Sequence, residues 1–252
     1  MTAGVAFSVE FVFEIPPIPV SVDLAGQHVT LTVSGQVSGS PAPPGPAEQT
    51  FRLKLLADLG DFQSHLTPIL QAELNKSDRC GERLSIRNAT LTPAAPTGLL
   101  AVQLHFEKWI CIKALGQDSA KKLVGGDATV RVTLTPRMEN AVSDKTGRAV
   151  QTVGLDAEIG TIDADGSLGE VMRSGTVGPA LRDKIRESLL KAIEKSTALD
   201  GVLPAEAQRF VTIQTIAFGD RGSGRLELDF AGRMQLPGEQ IAAVLEQLGN
   251  RK

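Results

Sequence analysis

Tyrosine is missing from this chain altogether, and tryptophan occurs once, at Trp109. Tyr and Trp are the usual polar-tipped anchors of tight protein interfaces and the stacking platforms of single-stranded nucleic-acid binders, so their scarcity argues against both. Nine Phe remain, and the core must be filled by Leu, Val, Ile and Ala. Basic excess is lacking too. With 26 Lys and Arg against 29 Asp and Glu the net charge is −3, which leaves no cationic footprint for nucleic acid and no polybasic run for an anionic membrane. No apolar stretch approaches the ~18 residues that a membrane-spanning helix needs, so an integral membrane protein is not expected. Chemistry-bearing motifs are also scarce. His28, His65 and His105 are scattered without metal-ligand spacing, and there is neither a CxxC nor a GxSxG elbow. Each histidine reads as a structural residue. No metal, cofactor or catalytic group is expected, and the chain is read as a non-enzyme.

What is present is alternation. Val5 to Ile15 places its large residues on odd positions, the period of a half-buried strand, and Glu10 and Glu14 argue against a secretory signal. A start of Met-Thr-Ala-Gly fits a native cytoplasmic beginning or a periplasmic or secreted chain whose signal has been removed. Val29, Leu31 and Val33 alternate next, then Phe51, Leu53 and Leu55 after a Pro/Gly-rich loop at 39–46. Asp61 is an acceptable N-cap for a helix over about 61–76, whose stripe is Phe62, Leu66, Ile69, Leu70 and Leu74. Pro68 should kink that helix or mark a late start. Leu84–Leu91 and Leu99–Ile112 around a Pro93–Gly98 turn read as a hairpin, about 84–112.

The second half follows the same order. Val130–Leu134 and Val153–Ala157 alternate, a Gly/Asp-rich link covers 160–178, and a helix is expected at 179–195 with Ile185 and Leu189 in its stripe. A hairpin at about 210–236 turns at Gly219–Gly224, and a last helix is expected at 238–248. Shifted by 126 residues the hairpins match: Leu84 with Phe210, Gly98 with Gly224, Leu104 with Phe230. The expectation is therefore an α+β fold of long antiparallel strands wrapped around amphipathic helices, as two β-β-α-β-β pseudo-repeats at 1–123 and 124–252.

Cys80 and Cys111 are the only cysteines. In a hairpin turning at Pro93–Gly98, paired positions sum to about 190, which brings the two within disulfide reach. That pairing favours an oxidising compartment such as a bacterial periplasm. Two other features have ordinary readings: Gly219–Gly224 (GDRGSG) joins strands and is a hairpin turn, and Asp163-Ala-Asp165-Gly166 lacks the ligand spacing of a calcium loop.

The run formed by Pro179–Lys195, Leu203-Pro204, FVTIQTIAF (Phe210–Phe218), RLELDFAGRMQL (Arg225–Leu236) and a closing helix from Gly238 resembles the C-terminal part of tubular lipid-binding (TULIP) domains. The resemblance implies an aliphatic groove for a lipid, acyl chain or sterol-like ligand, and no chemistry performed on it. Leu66, Leu70, Ile185 and Leu189 on helices, with Leu104 and Phe230 on strands, are the candidate lining. The other reading is a structural or assembly protein of the bacterial envelope with a protein partner and a filled core.

Overall fold

The structure, a computed structural model, describes residues 11–39, 49–77, 80–114, 117–142, 149–173 and 210–237, with Pro179, Asp183 and Glu187 as single helical positions. The 39–46 loop past Gly39, most of the 179–195 helix with Ile185 and Leu189, the Leu203-Pro204 break and the 238–248 helix lie outside the described residues.

Antiparallel strands dominate. One sheet has the order β1 (Phe11–Leu24), β2 (Gln27–Gly39), β3 (Gln49–Asp58), β10 (Leu226–Leu236), β9 (Val211–Asp220). The other is a meander of β4 (Lys76–Ser77), β5 (Gly81–Ala94), β6 (Thr97–Ala114), β7 (Gln117–Val142) and β8 (Ala149–Ala164). Each sheet takes strands from both halves of the sequence. β10 lies against β3, with Phe230 opposite Leu55, while β6 lies against β7, with Val102 opposite Val130. Pro16, Pro17 and Pro19 are tolerated because β1 is an edge strand, and the register slips between Ile15 and Ile18 where two of them stand.

The alternation read from the sequence is the core. Val29, Leu31 and Val33 of β2, Phe51, Leu53 and Leu55 of β3, and Leu100, Val102 and Leu104 of β6 are all buried. So are Leu66, Ile69, Leu70 and Leu74 of α1 (Gly60–Leu74). Asp61 does not cap this helix. Asp58 accepts the Gly60 N–H at 2.9 Å, and Asp61 instead accepts the Thr30 N–H at 2.7 Å, fastening α1 to β2. The helix continues through Pro68. Asp58 also receives Arg221 and Arg225, each at 2.7 Å, so the Gly219–Gly224 turn clamps the start of α1.

The polar side of α1 has a role that the sequence reading did not anticipate. Gln63, Thr67, Gln71 and Asn75 recur every fourth residue and so share one helix face. All four bond to the open backbone edge of β5. Gln63 donates to Leu91 O at 2.7 Å, and Gln71 donates to Ile86 O at 2.9 Å. Thr67 accepts the Ala89 N–H at 2.9 Å, and Asn75 accepts the Ile86 N–H at 2.8 Å. The helix thus stands in for the strand that β4, only two residues long, does not provide. Thr67→Val keeps the shape and strands the Ala89 N–H in a buried site. We expect it to cost about 1–3 kcal/mol in a denaturant titration; no loss would mean that this edge is satisfied another way.

The 160–178 link is not all loop. β8 runs to Ala164, and a short helix, α2 (Gly166–Arg173), follows. α2 lies on β7 at Gly126, where an added Cβ would stand 2.8 Å from Asp165 O and from Leu168 Cβ. A side chain there would push the helix off. The two glycines at 125–126 also interrupt the alternation, which is why β7 extends far beyond the Val130–Leu134 segment that the pattern reveals.

Candidate functional site

The inner faces of the two sheets and the apolar face of α1 enclose a slot of about 50 Å³. On α1, Phe62, Leu66 and Leu70 reach it. The first sheet contributes Val22, Leu31, Phe218 and Leu228, and the second contributes Leu91, Leu100, Leu134, Val153 and Leu155. With Leu24 and Leu59, every lining residue is Val, Leu or Phe. Phe62, Val22 and Leu155 are only partly buried. Sites that hold ordered water need several polar partners, and an all-apolar wall offers none, so the slot favours hydrocarbon over water.

Of the sequence candidates, Leu66 and Leu70 line the slot. Leu104 and Phe230 are buried in the surrounding core and are not among the lining residues, while Ile185 and Leu189 lie outside the described residues. Leu155, Phe218 and Leu228 were visible in the sequence as alternating apolar positions. Nothing local marks which faces of separate sheets meet.

The wall is held shut at β9 by an amide. Gln151 of β8 accepts the Ile213 N–H at 2.8 Å and donates to Ile213 O at 3.2 Å, a pairing like that of a neighbouring strand. Near the other end, the Phe218 N–H bonds to Pro96 O at the β5–β6 turn at 2.9 Å.

Titratable groups gather on the outer face of the second sheet instead. Glu107 accepts from Lys122 at 2.5 Å and from the Trp109 indole at 2.7 Å, with His105 at 3.4 Å. His105 also meets Asp127 at 2.6 Å, and Asp127 meets Arg87 at 3.0 Å. The Lys122 bond first, then the Trp109 bond, lower the Glu107 pKa from 4.5 to about 2. For a carboxylate lowered on folding, the stabilisation is complete above about 4.5 and is lost as pH falls through about 2. Trp109 reports it directly: its emission should titrate with a midpoint near 2, and Lys122→Met should raise that midpoint. A midpoint at the ordinary carboxylate value in the unmutated protein would contradict the network.

His28 and His65 have separate partners, Asp23 at 3.0 Å and the Asp61 carbonyl at 2.9 Å. Asp163 pairs with Arg131 at 2.5 Å, which gives that acidic stretch a partner within the sheet. Among the described residues no group of three or more His, Cys, Asp or Glu is placed to hold a metal ion, and no helix is long and apolar enough to cross a membrane. Cys80 and Cys111 form a disulfide with their Cα atoms 5.6 Å apart. Compared with protein-family models and with curated proteins, the chain matches none.

Proposed function

We propose that this protein binds the hydrocarbon part of a lipid in the slot between its sheets and performs no chemistry on it. The observation that carries this reading is the unbroken apolar lining, from Phe62 and Leu70 on the helix to Leu155 and Leu228 on the strands. An apolar concavity with few polar groups is the usual form of a hydrophobic-ligand site. The volume narrows the class. At roughly 10–15 Å³ per water, the slot has space for only a few waters. It therefore suits the end of one unbranched acyl tail better than a sterol or a two-tailed lipid, and a polar head would stay outside.

The resemblance to TULIP domains supports the same reading, as does the correspondence of the β5–β6 and β9–β10 hairpins. Each has its first strand at or next to a sheet edge and its second strand inside. The duplication and the wrapping of helices by sheet are part of this proposal. The disulfide supports an oxidising location such as the periplasm. The small volume equally favours the second reading, an envelope assembly protein with a filled interior and a protein partner.

The test is the intact mass of freshly purified protein under native conditions and again after denaturation, with lipid analysis of the organic extract. Extra mass that is lost on denaturation and identified as lipid, and that Leu155→Trp diminishes by filling the partly buried rim, supports the carrier. A bare native mass together with no transfer of fatty acid between vesicles supports the assembly reading.

A further inference from the structure

The slot holds only the end of a tail. A methylene fills about the space of a water, so a volume that takes a few waters takes only the last few carbons of an acyl chain. The carbons next to them must lie in water or on an apolar surface that begins at the mouth. Three lining residues, Val22 on β1, Phe62 on α1 and Leu155 on β8, are only partly buried and mark that mouth.

One such surface begins at Val22. Val22, Val20, Ile18, Ile15 and Phe13 stand opposite Val29, Leu31, Val33, Gly35 and Val37 of β2, so all five face the inner side of the sheet. Val29, Leu31, Val33 and Val37 are buried, whereas none of the five on β1 is, and Ile18 is 39% exposed. The register slip between Ile15 and Ile18 builds this row. In an unbroken strand those two isoleucines would fall on opposite faces, and the slip turns both inward. The row is apolar at every place, and β1 is an edge strand with no further strand beyond it among the described residues. On the other rim the β8 row passes from Leu155 to Ala157, whose single methyl gives a tail less to lie on.

Chemistry narrows the occupant. Pro16, Pro17 and Pro19 have no N–H, so a strand from a partner or a second copy would meet gaps in its ladder. β1 carries Glu14 and Asp23 and no Lys or Arg, so it does not attract an anionic membrane surface. Hydrocarbon needs neither hydrogen bonds nor charge. We propose that the ligand's tail leaves the slot at Val22 and continues along β1 over Val20 and Ile18 toward Ile15, which makes the ligand a long-chain, single-tailed lipid. The inference rests on the carrier reading and adds the chain length to it. At about 3.3 Å per residue, Val22 to Ile18 spans ~13 Å, the reach of roughly ten methylenes. With the few carbons in the slot, a tail arrives at Ile18 when it has roughly fourteen carbons.

Equilibrium dialysis of radiolabelled decanoate and hexadecanoate, each below its critical micelle concentration, tests this. Hexadecanoate should bind roughly sixtyfold more tightly, about twofold per added carbon, the gain when half of each methylene leaves water. Ile18→Ser should weaken hexadecanoate roughly fivefold and leave decanoate, which stops short of Ile18, unchanged. The unchanged decanoate also shows that the variant is folded. Leu56→Ser, at a 40% exposed leucine on the outward face of β3, should alter neither. Equal affinity for the two acids, or a gain with length that survives Ile18→Ser, would overturn the β1 track and leave the slot standing. So would equal weakening of both acids by Ile18→Ser, which would place the effect on the fold. If neither acid binds the unmutated protein, the carrier reading fails and this inference fails with it.

Discussion

Leu70→Ala should lower the unfolding free energy by about 2–5 kcal/mol while raising the uptake of a fluorescent fatty acid. Leu70 is 1% exposed and sits where the α1 stripe meets the slot. Truncation removes contacts with neighbours that relax only in part, so stability falls. The same truncation widens a space walled by Leu66, Leu100 and Leu228, and an enlarged apolar cavity of this kind stays dry and accepts apolar guests. The two readouts move in opposite directions. A purely structural core would show the loss of stability without the gain in uptake, and that result would count against the carrier. Leu104→Ala, buried at 1% but away from the lining, is the control: a similar cost and no change in binding.

The second large effect concerns the disulfide. Cys80 and Cys111 are 31 residues apart, and joining them restricts the unfolded chain by about 3–4 kcal/mol on the loop-entropy account. The paired substitution Cys80→Ser with Cys111→Ser should lower stability by that amount and Tm by roughly 6–16 °C for a chain of this size. Because the bond ties the residue before β5 to β6 just where β6 and β7 go on pairing with each other beyond β5, amide exchange should speed most along 110–114 and 117–121. Equal acceleration throughout would show that the bond acts on the unfolded state alone. An unchanged Tm would show that it contributes nothing to the fold.

Local periodicity made half of this protein legible. Period-two runs such as Phe51-Leu53-Leu55 gave the strands and their buried faces, and the spacing of Leu66, Leu70 and Leu74 gave α1 and its inward side. The Pro93–Gly98 turn constrained the β5–β6 register closely enough to bring Cys80 near Cys111, because a hairpin's pairing follows from where it turns. One bulge, between Ile86 and Asn88, shifts the sum of paired numbers from 191 near the turn to 190 beyond it.

Other features came only from chain segments meeting at long range. Asp61 looked like a cap, yet Leu59 holds the N-cap position without a side-chain capping bond, Asp58 takes the Gly60 N–H and Asp61 reaches Thr30, because partners distant in sequence compete for the same carboxylate. The stripe Gln63-Thr67-Gln71-Asn75 could have been noticed for its spacing, but its meaning required an open strand edge alongside. β10 lies against β3 and Glu227 stands opposite Asp58, a pairing that no local pattern encodes because alternation states which face is buried and not against which strand. The apolar slot belongs to this second class. Composition and period settled which residues avoid water; the folded arrangement alone decided which of them face one another across a gap and which are left at the surface.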